Sequence, residues 1–284
     1  MDGKQLIALV AIVMSSLFMA CSNDDGHSST GTLKINLTDA PFPTDLVAEA
    51  NVTINKIEIR NAEDEEEGPF IVVSEEEMSF NLLDLTNGVT AGLVDLEIEA
   101  GEYDLIRLYV SEASIVLKDG TEHSLKVPSG SQTGIKIFLN PALVVTGGLT
   151  SELLLDMDVS KSFVLKGDFS SPEGINGFNF KPTIKASNMS TAGRLTGVVT
   201  DADQVAIEGV QVSIMMGEEV YTTSFTDAEG NYAVLGVDAG SYSVVFEKEG
   251  YEQVVVEAVE IIAANKTTQD AQLTAIETTE EPTE

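Results

Sequence analysis

The sequence predicts an all-β protein with two domains in tandem behind an N-terminal apolar leader. Three observations carry that expectation. Apolar residues recur with period two in short runs, as in Leu153, Leu155, Met157 and Val159, whose neighbours Glu152, Asp156 and Asp158 face the other way. No long run with the 3.6-residue period of a helix occurs after the leader. Gly, Asn and Asp punctuate the runs.

The leader starts with Lys4, a weak positive charge partly offset by Asp2. From Leu6 to Ala20 the chain is apolar except at Ser15 and Ser16. That run is shorter than the about 20 residues of a membrane-spanning helix and suits the apolar region of an export signal. It ends in Leu17-Phe18-Met19-Ala20-Cys21, which resembles the bacterial lipobox, with Phe18 where Leu is usual. The resemblance implies a lipoprotein signal peptide over 1–20, cleavage before Cys21, and a diacylglyceryl group on the Cys21 sulfur. Cys21 is the only cysteine, so no internal disulfide is available, and lipid attachment accounts for it. Each buried acyl CH₂ contributes about 0.8 kcal/mol, so two or three chains release slowly.

Residues 21–30 are the lipidated Cys and a polar tether. Asp24-Asp25 resembles the acidic signal that places some Gram-negative lipoproteins on the outer face, and Ser22 is not the Asp that retains others at the inner membrane. The implied location is the outer membrane, lipid-anchored and exposed at the cell surface, with the periplasmic face as the alternative.

In the first domain, 31–186, Asp119-Gly120 predicts a tight hairpin between Ser114–Lys118 and Thr121–Val127, since that dipeptide readily takes positive φ. Val52 and Ile54 shift phase to Ile57 and Ile59, the mark of a bulge. Tyr103–Val110 carries large side chains on both faces, as a central strand does. Phe178, Phe180 and Ile184 alternate with Asn179, Lys181, Thr183 and Lys185. Leu37-Thr38-Asp39-Ala40-Pro41, Phe80-Asn81-Leu82-Leu83-Asp84-Leu85 and Gly101-x-Tyr103 resemble the signature of an uncharacterised domain family of bacterial lipoproteins. That resemblance implies a β-sandwich and a location; it assigns no activity.

Small polar residues at 187–193 read as a linker. Beyond it come Gly197-Val198-Val199-Thr200-Asp201, Ile207-Glu208-Gly209-Val210-Gln211-Val212, Thr226-Asp227-Ala228-Glu229-Gly230-Asn231-Tyr232, Gly240-Ser241-Tyr242-Ser243-Val244 and Gly250-Tyr251. Together these resemble the carboxypeptidase regulatory-like domain, which implies a seven-stranded transthyretin-like β-sandwich over 194–276. Gly230 lets its turn reverse tightly, Gly240 frees the backbone before the next strand, and Tyr242, Val244 and Phe246 alternate inward. Residues 277–284 form an acidic tail.

Composition narrows the function. With 43% hydrophobic and 22% charged residues the chain is that of a folded protein, and its net charge of −32 repels phosphate backbones, so no nucleic-acid partner is expected. The two histidines are separated, His27 in the tether and His123 after the hairpin turn, which leaves little material for a nucleophile–histidine system or a zinc site. Glu63-Asp64-Glu65-Glu66-Glu67, the Glu152/Asp156/Asp158 face and Asp201/Asp203 are the acidic features to weigh for calcium. None follows an EF-hand pattern, so a solvated loop, strand face and turn are expected, with no metal and no cofactor. A Lys–Asn cross-link lacks its first-strand Lys, because Arg194 stands there. The chain has no Trp, which weakens sugar stacking.

The expectation is a non-catalytic surface lipoprotein that binds an unknown protein or glycan ligand. The alternatives are a structural spacer and an accessory lipoprotein for polysaccharide capture. The capture alternative requires exposed aromatics among Phe42, Phe70, Tyr103 and Tyr109. An enzyme would require convergent carboxylates in a cleft between the domains.

Overall fold

The computed structural model describes residues 29–39, 46–63, 68–127, 133–167 and 174–276. The leader 1–20, Cys21, Asp24, Asp25, His27, Phe42, residues 64–67 of the acidic run and the tail 277–284 lie outside the described residues.

The first domain opens with β1 (Thr30–Thr38), β2 (Val47–Asn61), β3 (Ile71–Ser74), β4 (Met78–Asn81), β5 (Ala91–Glu99) and β6 (Gly101–Leu117). It continues with β7 (Glu122–Ser124), β8 (Ile135–Val145), β9 (Thr150–Met157), β10 (Phe163–Gly167), β11 (Ile175–Phe180) and β12 (Ile184–Asn188). One sheet has the order β12-β9-β1-β5; in the other, β3-β2-β6-β7, β4 also pairs with β2 and β8 with β6. Strands β10 and β11 form a separate ribbon. Period-two patterning explains the stacking, since each strand turns one apolar row inward. Leu33, Ile35 and Leu37 of β1 and Leu153, Leu155 and Met157 of β9 pack in one buried core with Ile54, Ile57, Ile106 and Leu108 of the facing sheet.

Strand β6 is central as predicted, with β2 on one side and β8 then β7 on the other. The phase shift in β2 is a bulge, because its register against β6 slips between Thr53 and Ile54 and again before Lys56. The hairpin forms around Gly120 (φ 86°), where Asp119 Oδ1 accepts the Thr121 N–H at 2.8 Å. Its return strand is short, three residues at Glu122–Ser124, with the Leu125 N–H extending the ladder to the Ala113 carbonyl.

Two of the three signature motifs meet in space. The Thr38 hydroxyl lies within hydrogen-bond reach of the Leu85 and Val89 carbonyls at 2.9 and 3.0 Å, and the Asp39 N–H donates to Leu85 at 3.0 Å. Asp39 Oδ1 accepts the Val159 N–H at 3.0 Å. Asn81 caps the 3₁₀ turn Leu82–Leu85, its Oδ1 accepting from Leu83 at 3.3 Å and from Ala50 at 3.1 Å. These contacts tie the end of β1 to the connection between the sheets.

The stretch 187–193, read as a linker, is mostly strand. Ser187 and Asn188 end β12, Ala192 and Gly193 begin the next strand, and only Met189–Thr191 turn between them. Asn188 Oδ1 holds that turn by accepting from the Ser190 N–H at 3.0 Å. Small polar residues suited a tight turn as well as they suit a tether.

The second domain contains β13 (Ala192–Thr200), β14 (Gln211–Met216), β15 (Glu219–Phe225), β16 (Asn231–Asp238), β17 (Gly240–Glu247), β18 (Val254–Ile261), β19 (Lys266–Thr268) and β20 (Ala271–Gln272). Its sheets run β15-β14-β17-β18 and β16-β13-β19, with β20 following β19 along β13, so two short pieces take the place of one seventh strand. Leu195, Val212, Tyr232, Val244 and Phe246 fill the core. Gly230 turns the chain at φ 74° as expected. Gly240 has a different role from the one expected: it opens β17 without a left-handed conformation, and a Cβ there would lie 3.5 Å from the Tyr242 ring.

Candidate functional site

The two domains meet along β16, an edge strand of the second domain's β16-β13-β19 sheet. An edge strand leaves backbone donors and acceptors unpaired, and side chains of the first domain supply partners here. Asn87, at φ 55° in the Asn87-Gly88 turn, accepts the Ala233 N–H on Oδ1 at 2.5 Å and donates from Nδ2 to the Asn231 carbonyl at 3.3 Å. Its amide thereby does for β16 what a neighbouring strand would do. Farther along, the Ser187 hydroxyl donates to the Gly236 carbonyl at 2.9 Å in a buried contact. Leu154, on the outward face of β9, is only 2% exposed, and a Cβ on Gly236 would come within 3.1 Å of it.

Beside this seam lies a cleft of about 310 Å³ lined by residues of β9, β12, β15 and β16. Lys185 reaches across it from β12. Its ammonium hydrogen-bonds the Tyr221 hydroxyl, stands 3.9 Å from the centre of the Tyr221 ring, and lies 3.7 Å from Asp238 Oδ2. The Tyr221 hydroxyl in turn donates to Asp238 Oδ2 at 2.7 Å, and its ring meets Tyr242 edge-on with centroids 5.4 Å apart.

Titration in the cleft follows from these contacts. Burial pushes the Lys185 ammonium below its ordinary pKa, against the opposing pull of Asp238 and Asp156. Burial pushes the Tyr221 phenol well above its ordinary value, with the Asp238 carboxylate adding to it and the Asp238 N–H opposing it, so it stays protonated and serves as a donor rather than a base. Asp158 is raised by burial, yet hydrogen bonds from Lys161 and Ser160 hold it below the ordinary carboxylate value. Its Oδ1 caps the helical turn Val159–Ser162 at 3.0 Å from the Lys161 N–H, and its Oδ2 pairs with Lys161 Nζ at 2.8 Å.

The cleft that an enzyme reading required is therefore present and lined by Asp156 and Asp158. Lys185, Tyr221 and Asp238 are engaged with one another across it and make a joint. Among the described residues no group of three or more His, Cys, Asp or Glu side chains is placed to hold a metal ion. Of the acidic features, Glu152 accepts from Asn36 Nδ2 at 2.7 Å, and Asp201 Oδ1 closes its own turn by accepting from the Asp203 and Val205 N–H groups at 2.9 Å. His123 packs edge-on against Phe178 at 5.6 Å.

Of the aromatics that sugar capture would need, Tyr103 is 0% and Tyr109 7% exposed, so neither offers a platform; Phe70 is half-buried beneath Arg107. Sequence reasoning had Lys185 only alternate with the apolar row of its strand and missed its partners in the second domain. The Asn87-Gly88 dipeptide and the Leu154 that interrupts a polar face were the signals available. Among the described residues no helix is long and apolar enough to cross a membrane.

Comparison with known proteins matches both halves of the chain. The model of a domain of unknown function (DUF4382) matches residues 30–182, and that of the carboxypeptidase regulatory-like domain matches 194–274. No curated protein matches. Among solved structures, a type II cohesin–X–dockerin complex from Acetivibrio cellulolyticus is 18% identical over 29% of this chain and 58% of its own, with a TM-score of 0.25. The Bacillus anthracis TIE protein is 15% identical over 87% of this chain and 34% of its own, with a TM-score of 0.25. The shaft pilin spaA from Lactobacillus rhamnosus GG is 12% identical over 88% of this chain and 100% of its own, with a TM-score of 0.26. Likenesses this distant carry no ligand or activity across.

Proposed function

Starting from a chain that belongs to the DUF4382 family and carries a carboxypeptidase regulatory-like domain behind it, we propose a non-catalytic, partner-binding lipoprotein, anchored in the outer membrane through Cys21 and exposed at the cell surface. In this reading residues 1–20 are removed, 21–30 form the tether, and domains 31–186 and 194–276 project as one body. The observation that supports it most is the seam itself. Asn87 and Ser187 occupy the β16 edge, and the Lys185–Tyr221–Asp238 cluster closes the cleft beside it. Two sandwiches fixed in this way are suited to presenting a surface, and Lys185, Tyr221 and Asp238 in the cleft are committed to holding the domains together.

Treatment of intact cells with a non-penetrating protease tests the location. Degradation of the wild type, release of Cys21→Ala, and protection of the Asp24→Ala/Asp25→Ala variant would support it; protection of the wild type would overturn surface exposure. Binding of the purified full chain to cells, matrix proteins, glycans and envelope extracts tests the role, and failure with all of them would remove it. The occupied β16 edge also favours a second reading, in which the C-terminal domain is a spacer. Deletion from Arg194 onward that leaves binding intact would support that one.

A further inference from the structure

In a protein of net charge −32, part of the outer face of the six-stranded sheet gathers Lys56, Arg60, Arg107 and Lys136 around the carboxylates of Glu58 and Asp104. Strand register lays out two rows across β3, β2, β6 and β8. One reads Val72, Glu58, Arg107, Lys136. The next contains Arg60, Leu105 and Phe138. Most of the charges here are matched. Arg60 grips Asp104 through Nε at 3.0 Å and Nη2 at 2.7 Å. Glu58 spends one oxygen on Lys56 Nζ at 2.7 Å and the other on the Tyr109 hydroxyl at 2.7 Å.

Arg107 and Lys136 are matched less fully, because the carboxylate of their row, Glu58 opposite Arg107, is already hydrogen-bonded to Lys56 and Tyr109. The two cations are direct partners across the β6–β8 ladder, which brings their Cβ atoms within about 5 Å, a position where like charges destabilise a sheet. The Arg107 guanidinium stands over the Phe70 ring, its Cζ 3.7 Å from the ring centre, and its buried Nε has no hydrogen-bond partner among the described residues. Lys136 is exposed. In the next row Phe138 is 68% exposed, and at the far end of their own row, beyond Glu58, Val72 is 48% exposed, so apolar surface borders the charged row.

We infer that Arg107 and Lys136, with Phe138 beside them, form a docking site for an acidic peptide segment whose carboxylates alternate with apolar side chains. The inference rests on the partner-binding reading above and gives it a surface. Two adjacent cations that share one carboxylate, itself already hydrogen-bonded, favour a further anion, and a guanidinium seated over an aromatic ring is preorganised to receive one. An anion approaches this chain against its overall field, so charge alone gives little and contact with Phe138 and Val72 must add to it. That requirement selects a peptide bearing both carboxylates and apolar groups over a uniformly hydrophilic acidic polysaccharide. In an extended peptide, period two places both kinds on the pleated face in register with the rows above.

The test uses the full chain purified in detergent and a short fluorescent peptide of alternating glutamate and leucine, read by fluorescence polarisation. The expected result is binding that weakens about tenfold in Lys136→Glu and more in Lys136→Glu/Phe138→Ser, with Lys166→Glu, an exposed charge elsewhere, leaving it unchanged. A lysine–leucine peptide is expected not to bind. Equal losses in Lys136→Glu and Lys166→Glu would overturn the site, as would preferential binding of polygalacturonate. Binding that emerged only after Asp64, Glu65, Glu66 and Glu67 were neutralised would also overturn it, with the chain's own acidic run as the occupant. If Lys136→Glu still adheres to cells or envelope extracts like the wild type, this surface is wrong and the partner-binding reading stands; if the wild type adheres to nothing, that reading fails with it.

Discussion

Tyr103 and Tyr242 hold equivalent corners in the two domains: each hydroxyl donates to the carbonyl four residues upstream, Glu99 at 2.8 Å and Asp238 at 2.9 Å. Each follows a glycine by two positions and opens a strand, β6 in one domain and β17 in the other. Both rings are buried, so the hydroxyl must find its partner locally.

Replacing either by Phe keeps the ring and leaves one carbonyl without its donor. Each of Tyr103→Phe and Tyr242→Phe should cost about 1 kcal/mol. The two sit in separate cores, so the double variant should lose about the sum. Urea midpoints of the three variants check this, and a coupling far from zero would show that the corners communicate through the seam.

Asn87 tests the seam directly. Gly in its place accepts the same positive φ and removes only the side chain that pairs with Ala233 and Asn231. Asn87→Gly should destabilise the second domain by about 1–3 kcal/mol, the cost of an unpaired backbone donor in a part-buried edge. Hydrogen exchange supplies the readout. The Ala233 amide should exchange at least roughly tenfold faster, while the amide of Val212, on a strand with neighbours on both sides, should keep its protection.

These two sites show what local sequence makes legible. Alternation at Tyr242, Val244 and Phe246, and at Leu153, Leu155 and Met157, is a property of neighbouring residues, and the structure buries all six. The same holds for Asp119-Gly120 and for the phase shift in β2. The joint is different, because Lys185 and Tyr221 are 36 residues apart and Asn87 and Ala233 are 146 apart. Nothing near Lys185 distinguishes a lysine facing solvent from one facing another domain. Leu154 came closest to a signal, since an apolar residue between Glu152 and Asp156 on a polar face implies a cover. The Arg107–Lys136 pair depended on register across β6 and β8, which a hydrophobic pattern cannot count through a long loop.

Gly197 belongs to the first motif of the second domain, and its reason is proximity. A Cβ there would lie 1.9 Å from the Gln269 carbonyl oxygen and 2.8 Å from the Tyr232 ring. That carbonyl also accepts the Tyr232 hydroxyl at 2.6 Å. Gly197→Ala must therefore push the 269 backbone away and break the pairing of β13 with β19 and β20. A loss above about 3 kcal/mol is expected, confined mainly to the second domain. Far-ultraviolet melting should show an early transition followed by an unchanged one; a single cooperative loss would mean that the first domain cannot stand without the second.

Alkaline pH offers a last test, because several phenols share one sign. Burial raises Tyr103, Tyr221, Tyr232 and Tyr242 above the ordinary value of 10.0, helped by Glu99 for the first, Asp238 for Tyr221 and Tyr242, and Asp270 for Tyr232. The folded chain therefore keeps protons that the unfolded chain releases, and stability must fall as pH rises. The contribution is complete below the unfolded value of about 10 and disappears as pH climbs through the raised folded values. Urea midpoints measured from about pH 8 to about pH 11 should be level at first and then drop. Tyr232→Phe should flatten part of that drop, since its ring is 2% exposed and its hydroxyl is held by Gln269. An unchanged slope in that variant would place the alkaline loss elsewhere, with the Tyr221 phenol in the joint as the next to remove.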